Sequence, residues 1–302
     1  MEITLYTSST RSAVCCLSSV NLELYDEWKD TQMVADIVRL LDNVLEYFIR
    51  LAPPELSRAV NSASQERAIG LGAMGFHSYL QKNDIPFESG GFNSSIQHTH
   101  KLYSDIRTKA IVESKRLAES RGEPSDLTGS GMRNSHLMAP APNASSSSIV
   151  DCSPANEPWA ANAFNAQGRA GSYLIKNKYL SKVLDELGKN TKDIWASIIS
   201  AGGSVQHLTF LTDHQKLVFK TFFEIDQAYV IENAAVRQPL ICQSQSINLA
   251  FAPGTTRQQF SDIHMMAWAK GLKSLYYCRS DSKIAVTTGK QVDVNECVSC
   301  QG

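Results

Sequence analysis

The chain has 302 residues, 43% of them hydrophobic, enough for one large or two ordinary domains with a real core. Its 29 basic and 30 acidic side chains leave a net charge of −1, so no basic footprint points to nucleic acid or to a membrane surface. Seven cysteines, an odd count, do not suit a secreted disulfide scaffold, and neither a transmembrane run nor a leader pattern at Met1 is visible, so a cytoplasmic protein with some active thiols is expected.

In chain order, the short apolar run Ala13-Val-Cys-Cys-Leu17 reads as a buried strand. Residues 30–51 predict a helix, with Val34, Ile37, Val38, Leu41, Val44, Leu45 and Phe48 on one stripe and Pro53-Pro54 ending it. Ala68-Ile-Gly-Leu-Gly-Ala-Met-Gly75 holds too many glycines for a helix and reads as a buried strand in tight surroundings. It leads into a helix at 76–82, and a long helix follows at 94–121. Ala139-Pro-Ala-Pro-Asn-Ala-Ser-Ser-Ser-Ser148 is a small, polar loop. Helices are expected at 182–187, 191–200, 213–223, 226–237 and 260–275, with a strand at 246–251. From Ser280 apolar periodicity ends, and residues 281–302 read as a flexible tail. Strands alternating with long helices predict an α/β fold with a largely parallel sheet, with no linker dividing residues 1–280.

Four features admit both a packing reading and a chemical one. Cys15, flanked by apolar residues, is locally a small hydrophobe. The serine run is locally a solvated linker, yet consecutive N–H groups and hydroxyls at a helix start also hold anions. Tyr276 and Tyr277 are locally one core and one boundary aromatic. Adjacent phenols can also pass an electron together with its proton. Cys297-Val-Ser-Cys300 is half of a zinc site or an accessible dithiol. Structural zinc takes four ligands, and no second pair or neighbouring His accompanies this one. An accessible dithiol suits thiol–disulfide exchange. Cys152, Cys242 and Cys278 read as packing residues, and His98 and His100 as exposed on a helix.

These features, in this order, resemble the large (α) subunit of class I ribonucleotide reductases. Ala13-Val-Cys15-Cys16-Leu-Ser-Ser-Val-Asn21-Leu22 is similar to the strand that carries one of the family's two substrate-reducing thiols, which implies that role for Cys15. Met138 to Pro158 resembles the loop that holds the substrate phosphates and closes at Glu157-Pro158. The matching positions are Pro142, Asn143, Ala144, Ser145 and Ser146, although the family often has hydroxyl or acidic residues where Asn143 and Ala144 stand. Gln243-Ser-Gln-Ser-Ile-Asn248 and Lys270-Gly-Leu-Lys-Ser-Leu-Tyr276-Tyr277-Cys-Arg279 resemble the segment whose stacked phenols carry a radical between subunits. There Tyr277 would receive the radical and Tyr276 would pass it inward. The tail pair Cys297 and Cys300 resembles the family's dithiol shuttle, with a shorter spacing than is usual.

The resemblance implies the second half of a ten-stranded α/β barrel, spanning residues 1–280, with the redox tail at 281–302. It implies radical reduction of ribonucleotides to deoxyribonucleotides. The family's Asn-x-Cys-x-Glu motif, which carries the radical cysteine, is not found in the sequence. That motif, the second redox thiol and the allosteric sites belong to the first half of the barrel. A naturally split subunit is therefore expected, completed by a separate N-terminal half, with a fragment of a longer chain as the duller alternative. The other implied partners are a small β subunit with a di-metal tyrosyl-radical cofactor, and thioredoxin or glutaredoxin as reductant. No cofactor or metal is expected on this chain itself. The alternatives are a non-catalytic regulatory or decoy half-subunit that binds β, and a stand-alone thiol oxidoreductase. The second lacks the strand-to-helix setting such a Cys-x-x-Cys requires.

Overall fold

The structure, a computed structural model, describes residues 1–168 and 171–280; the expected tail with Cys297 and Cys300 lies outside the described residues. Strand β1 (Leu17–Asn21) runs parallel to β2 (Gly70–Met74), with Leu17 opposite Gly70. On the other side of β2, Leu71 N donates to Leu137 O at 2.7 Å and Ala139 N donates to Leu71 O at 3.1 Å. This segment accepts in turn from Gln243 N at Met138 O (3.2 Å) and from Ser246 N at Pro140 O (3.0 Å). Tyr276 N donates to Ile247 O at 2.8 Å, and just beyond it β5 (Leu249–Phe251) pairs in parallel with β6 (Cys278–Ser280). Five extended segments thus lie side by side in chain order and run the same way. This is the parallel half-barrel that the sequence predicts.

Parallel neighbours need long crossovers, and helices supply them. Between β1 and β2 come α1 (Tyr25–Trp28), α2 (Met33–Leu51) and α3 (Ser57–Glu66). Then follow α4 (Phe76–Lys82) and α5 (Ser95–Arg121), with α6 (Ala144–Ile149) after the third segment. In α2, Val34, Val38, Leu41 and Leu45 are buried at helical spacing, which fixes the inward face. Ser94 caps α5 by accepting from Gln97 N at 3.2 Å, and Gly122 (φ 81°) ends it. The glycines of β2 permit close strand packing: a Cβ on Gly72 would stand 2.8 Å from the Pro140 backbone.

Next come an antiparallel hairpin, β3 (Ala163–Gly168) with β4 (Gly171–Lys176), and α7 (Lys178–Glu186), α8 (Lys192–Ser200) and α9 (Asp213–Val218). Leu180, Leu184, Trp195, Ile198 and Phe219 form an apolar cluster of their own there. Helices α10 (Gln227–Arg237) and α11 (Arg257–Ala269) complete the chain of crossovers. A capping box of Thr256 and Gln259 starts α11. No helix among the described residues is long and apolar enough to cross a membrane.

Several boundaries differ from the sequence expectation. The first strand is Leu17–Asn21, just after the apolar run expected to form it. The serine stretch is helical over Ala144–Ile149, where Ser147 and Ser148 hydroxyls donate back to Ala144 O at 3.0 and 2.9 Å. The last helix stops at Ala269, because Gly271 (φ 78°) turns the chain so that the following residues can join the sheet. The 213–223 helix is shorter, ending at Val218, and the β3–β4 hairpin was not expected.

Candidate functional site

One cleft of about 490 Å³ gathers half of the expected site residues. Pro142, Asn143 and Ala144 line it from the serine turn, and Tyr276, Tyr277 and Arg279 line it from the last strand. Ser145 and Ser146 are exposed and do not line it; Ser147 and Ser148 do. Cys15 is exposed, ahead of β1, and is not among the lining residues. The same strand reaches the turn through Ser19, whose hydroxyl donates to Asn143 Oδ1 at 3.2 Å. Although the residue is exposed, partial desolvation by its neighbours pushes the Cys15 thiol above its ordinary value and Glu2 adds to this, so at neutral pH Cys15 holds its proton.

The tyrosine rings are in contact but tilted, with centroids 4.1 Å apart and planes 46° from parallel. Tyr277 is 44% exposed and Tyr276 is half-buried, so the pair runs from surface to interior. The sheet holds both by their backbones, through Tyr276 N to Ile247 O and Leu249 N to Tyr277 O at 2.9 Å. Asn248 adds a side-chain tie, its Oδ1 accepting from Tyr277 N at 3.0 Å.

Several cleft residues fall outside the expected set. Glu157, noted in the sequence only as the end of a motif, is buried in the cleft wall. Burial pushes its carboxyl up to about 7, against the opposing pull of Arg279, of hydrogen bonds from Asn248 and of Arg237. Trp159 lines the cleft beside it, and Trp159 N donates to Nδ1 of His77 at 2.9 Å. Burial lowers His77 to about 3, so the ring is neutral and acts as a fixed acceptor. Beneath this corner Arg237 is buried, with Nε donating to Gln245 Oε1 at 2.9 Å and the guanidinium 5.6 Å from the Tyr103 ring. The Tyr103 hydroxyl donates to Asn156 Oδ1 at 2.8 Å. Asn248 and Arg279 lie inside sequence patterns that pointed to the site, whereas His77 and Arg237 carry no local signal.

The other cysteines differ in role. Cys152 is buried. Cys242 is exposed, yet its Sγ accepts from Leu137 N and Met138 N, both at 3.0 Å, where the third and fourth strands meet. Cys278 is also exposed and lines the cleft. His100 is exposed as expected, whereas His98 is half-buried and hydrogen-bonds the Tyr79 hydroxyl at 2.9 Å. Among the described residues no group of three His, Cys, Asp or Glu could hold a metal ion.

A parallel α/β sheet whose cleft joins a serine turn to a contacting tyrosine pair fits a reductase barrel. The family model for "Ribonucleotide reductase, barrel domain" matches residues 1–127 and 124–278. The chain belongs to that family. It is 48% identical to the ribonucleoside-diphosphate reductase large subunit of Invertebrate iridescent virus 6, covering 94% of this chain and 30% of that protein. It is 43% identical to the large subunit of Invertebrate iridescent virus 3, covering 100% of this chain and 49% of that protein. Among solved structures, the Actinobacillus ureae class Id ribonucleotide reductase alpha subunit is similar at a TM-score of 0.87 and 44% identity, over 93% of this chain and 52% of that one. The chain therefore spans about half, or less, of the length of these relatives.

Proposed function

We propose that this chain forms the C-terminal part of a ribonucleoside-diphosphate reductase large subunit and reduces ribonucleotides to deoxyribonucleotides by radical chemistry. It works with the N-terminal half of the barrel, which carries the radical cysteine and the allosteric sites, and with a small β subunit. The observation that carries this reading is the contacting, tilted pair Tyr276–Tyr277, running from the exposed to the half-buried ring within the cleft that also holds Pro142, Asn143 and Ala144.

The di-metal tyrosyl-radical cofactor of the β subunit supplies the oxidant. Tyr277, the exposed ring, gives up an electron and its phenolic proton at the interface. Tyr276 then passes an electron and proton outward to Tyr277, which moves the radical inward to the cysteine of the N-terminal half. That thiyl radical takes the ribose 3′ hydrogen, the 2′ hydroxyl leaves as water with a proton from one thiol, the other thiol supplies the proton for the 2′ carbon, and return of the 3′ hydrogen restores the thiyl radical. Cys15, protonated at neutral pH, and a second thiol of the N-terminal half supply two electrons and become a disulfide. Cys297 and Cys300 reduce that disulfide by exchange and are restored by thioredoxin or glutaredoxin. The serine turn seats the substrate phosphates, with Asn143 held by Ser19 of the strand that follows Cys15.

The test is reconstitution. This chain, the complementary half and the β subunit together should convert a ribonucleoside diphosphate to its deoxy product, and omission of any one should abolish it. Full turnover by this chain and β alone would overturn the dependence on a complementary half.

A further inference from the structure

The cleft contains two buried side-chain atoms with no hydrogen-bond partner among the described residues, Glu157 Oε1 and Trp159 Nε1. Glu157 is only 8% exposed, and its Oε1 stands open to the cleft. An unsatisfied ionised carboxylate in such a place is costly. The neutral acid is not, provided that an acceptor for its O–H arrives. The indole N–H of Trp159 is a donor as well. Two donors without acceptors, in the cleft that holds the serine turn, ask for a ligand rich in acceptor oxygens.

We infer that Glu157 binds the anionic nucleotide as a neutral carboxylic acid, donating its O–H to a ligand oxygen, so that ligand binding takes up a proton. This rests on the cleft being the nucleotide site proposed above, and adds a binding residue and a proton stoichiometry to it. The charges around Glu157 set the balance. Arg279 and Arg237 face it as cations and favour the carboxylate, while burial opposes them and prevails. Tyr276, Tyr277 and Cys278 share the cleft, and burial raises the Cys278 thiol further from the neutral range. The carboxyl sits at about 7 without ligand, and a bound phosphate chain, a like charge, drives it higher. By linkage, the proton that the ligand holds in place also strengthens the ligand's binding.

Calorimetry of cytidine diphosphate binding to this chain assembled with its complementary half, at about pH 8 in two buffers of different ionisation enthalpy, counts the protons directly. Wild type should take up close to one proton per ligand, and Glu157→Gln close to none. Wild-type affinity should fall by up to about tenfold per pH unit above 7, with Glu157→Gln much flatter. Binding by wild type without proton uptake, or equal uptake in the variant, overturns the inference and leaves the nucleotide cleft standing. No binding of cytidine diphosphate by wild type overturns the cleft reading and the inference together.

Discussion

Asn248 stands between Glu157 and the tyrosine pair: all of them line one cleft, and the Asn248 Oδ1 accepts from Tyr277 N at 3.0 Å. The buried acid thus shares a wall with the strand that carries the phenols. Burial raises its folded value from 4.5 to about 7, so the native state holds the proton more tightly than the unfolded chain. The sign follows from that: wild type loses stability as pH rises from about 4.5 to 7 and stays lowered above.

Glu157→Gln removes this titration while keeping the shape. The stability of the variant relative to wild type should increase between about pH 5 and pH 8, by on the order of 3 kcal/mol. Urea unfolding of both proteins at the two pH values measures it. A difference that does not change with pH would show that Glu157 does not hold its proton in the fold.

Asp42 has the opposite sign. It is fully buried and pairs with Arg67 (2.7 Å), Arg121 (2.7 Å) and Arg133 (3.4 Å). Burial pushes its carboxyl up, but the bonds and charges of Arg67 and Arg121, with the charge of Arg133, outweigh this and hold it below the carboxylate range. Its contribution is therefore present above the ordinary Asp value and is lost as pH falls through the lower folded one. Asp42→Ala would leave Arg67, only 4% exposed, with the partly exposed Glu46 (2.9 Å) as its one remaining carboxylate partner among the described residues, at a cost of up to about 3–5 kcal/mol. Thermal or urea unfolding near neutral pH checks this, and a loss below about 1 kcal/mol would contradict it.

The tail yields a conditional phenotype. In the reconstituted reductase, Cys297→Ser with Cys300→Ser should leave one round of product per active site after pre-reduction, then stall with thioredoxin. A small dithiol should restore part of the turnover: Cys15 is exposed in this chain, but the complementary half would cover its disulfide in the assembly, where a small reductant can enter and a protein reductant cannot. Cys15→Ser should block normal product in the first round, whatever the reductant. Normal thioredoxin-driven turnover in the double variant would remove the shuttle role.

Periodic apolar stripes made α2, α5 and α10 legible in the sequence, since each buries a regular face. The glycines of 68–75 likewise marked β2, where Gly72 packs against Pro140. The first strand was misplaced because Leu17–Asn21 is mostly small and polar, with only Val20 buried, while the apolar run precedes it. The serine run looked like a loop because serine favours caps and turns. Its helix is short and held partly by hydroxyls returned to Ala144 O. Tyr276, Tyr277 and the serine turn were legible through their neighbouring residues. Burial of Glu157 was not, because it depends on Arg237, Asn248 and His77-held Trp159 converging from distant elements.

The most direct test of the account is deoxynucleotide formation by the reconstituted assembly carrying Tyr277→Phe or Tyr276→Phe. Phe keeps nearly all the buried area, so unfolding should shift by only about 1 kcal/mol. It cannot, however, give up an electron and a phenolic proton. Each variant should fold, assemble with its partners, and make no deoxynucleotide above background. Turnover close to wild type in either variant would contradict the relay, and with it the reading of this chain as the radical-conducting part of the reductase.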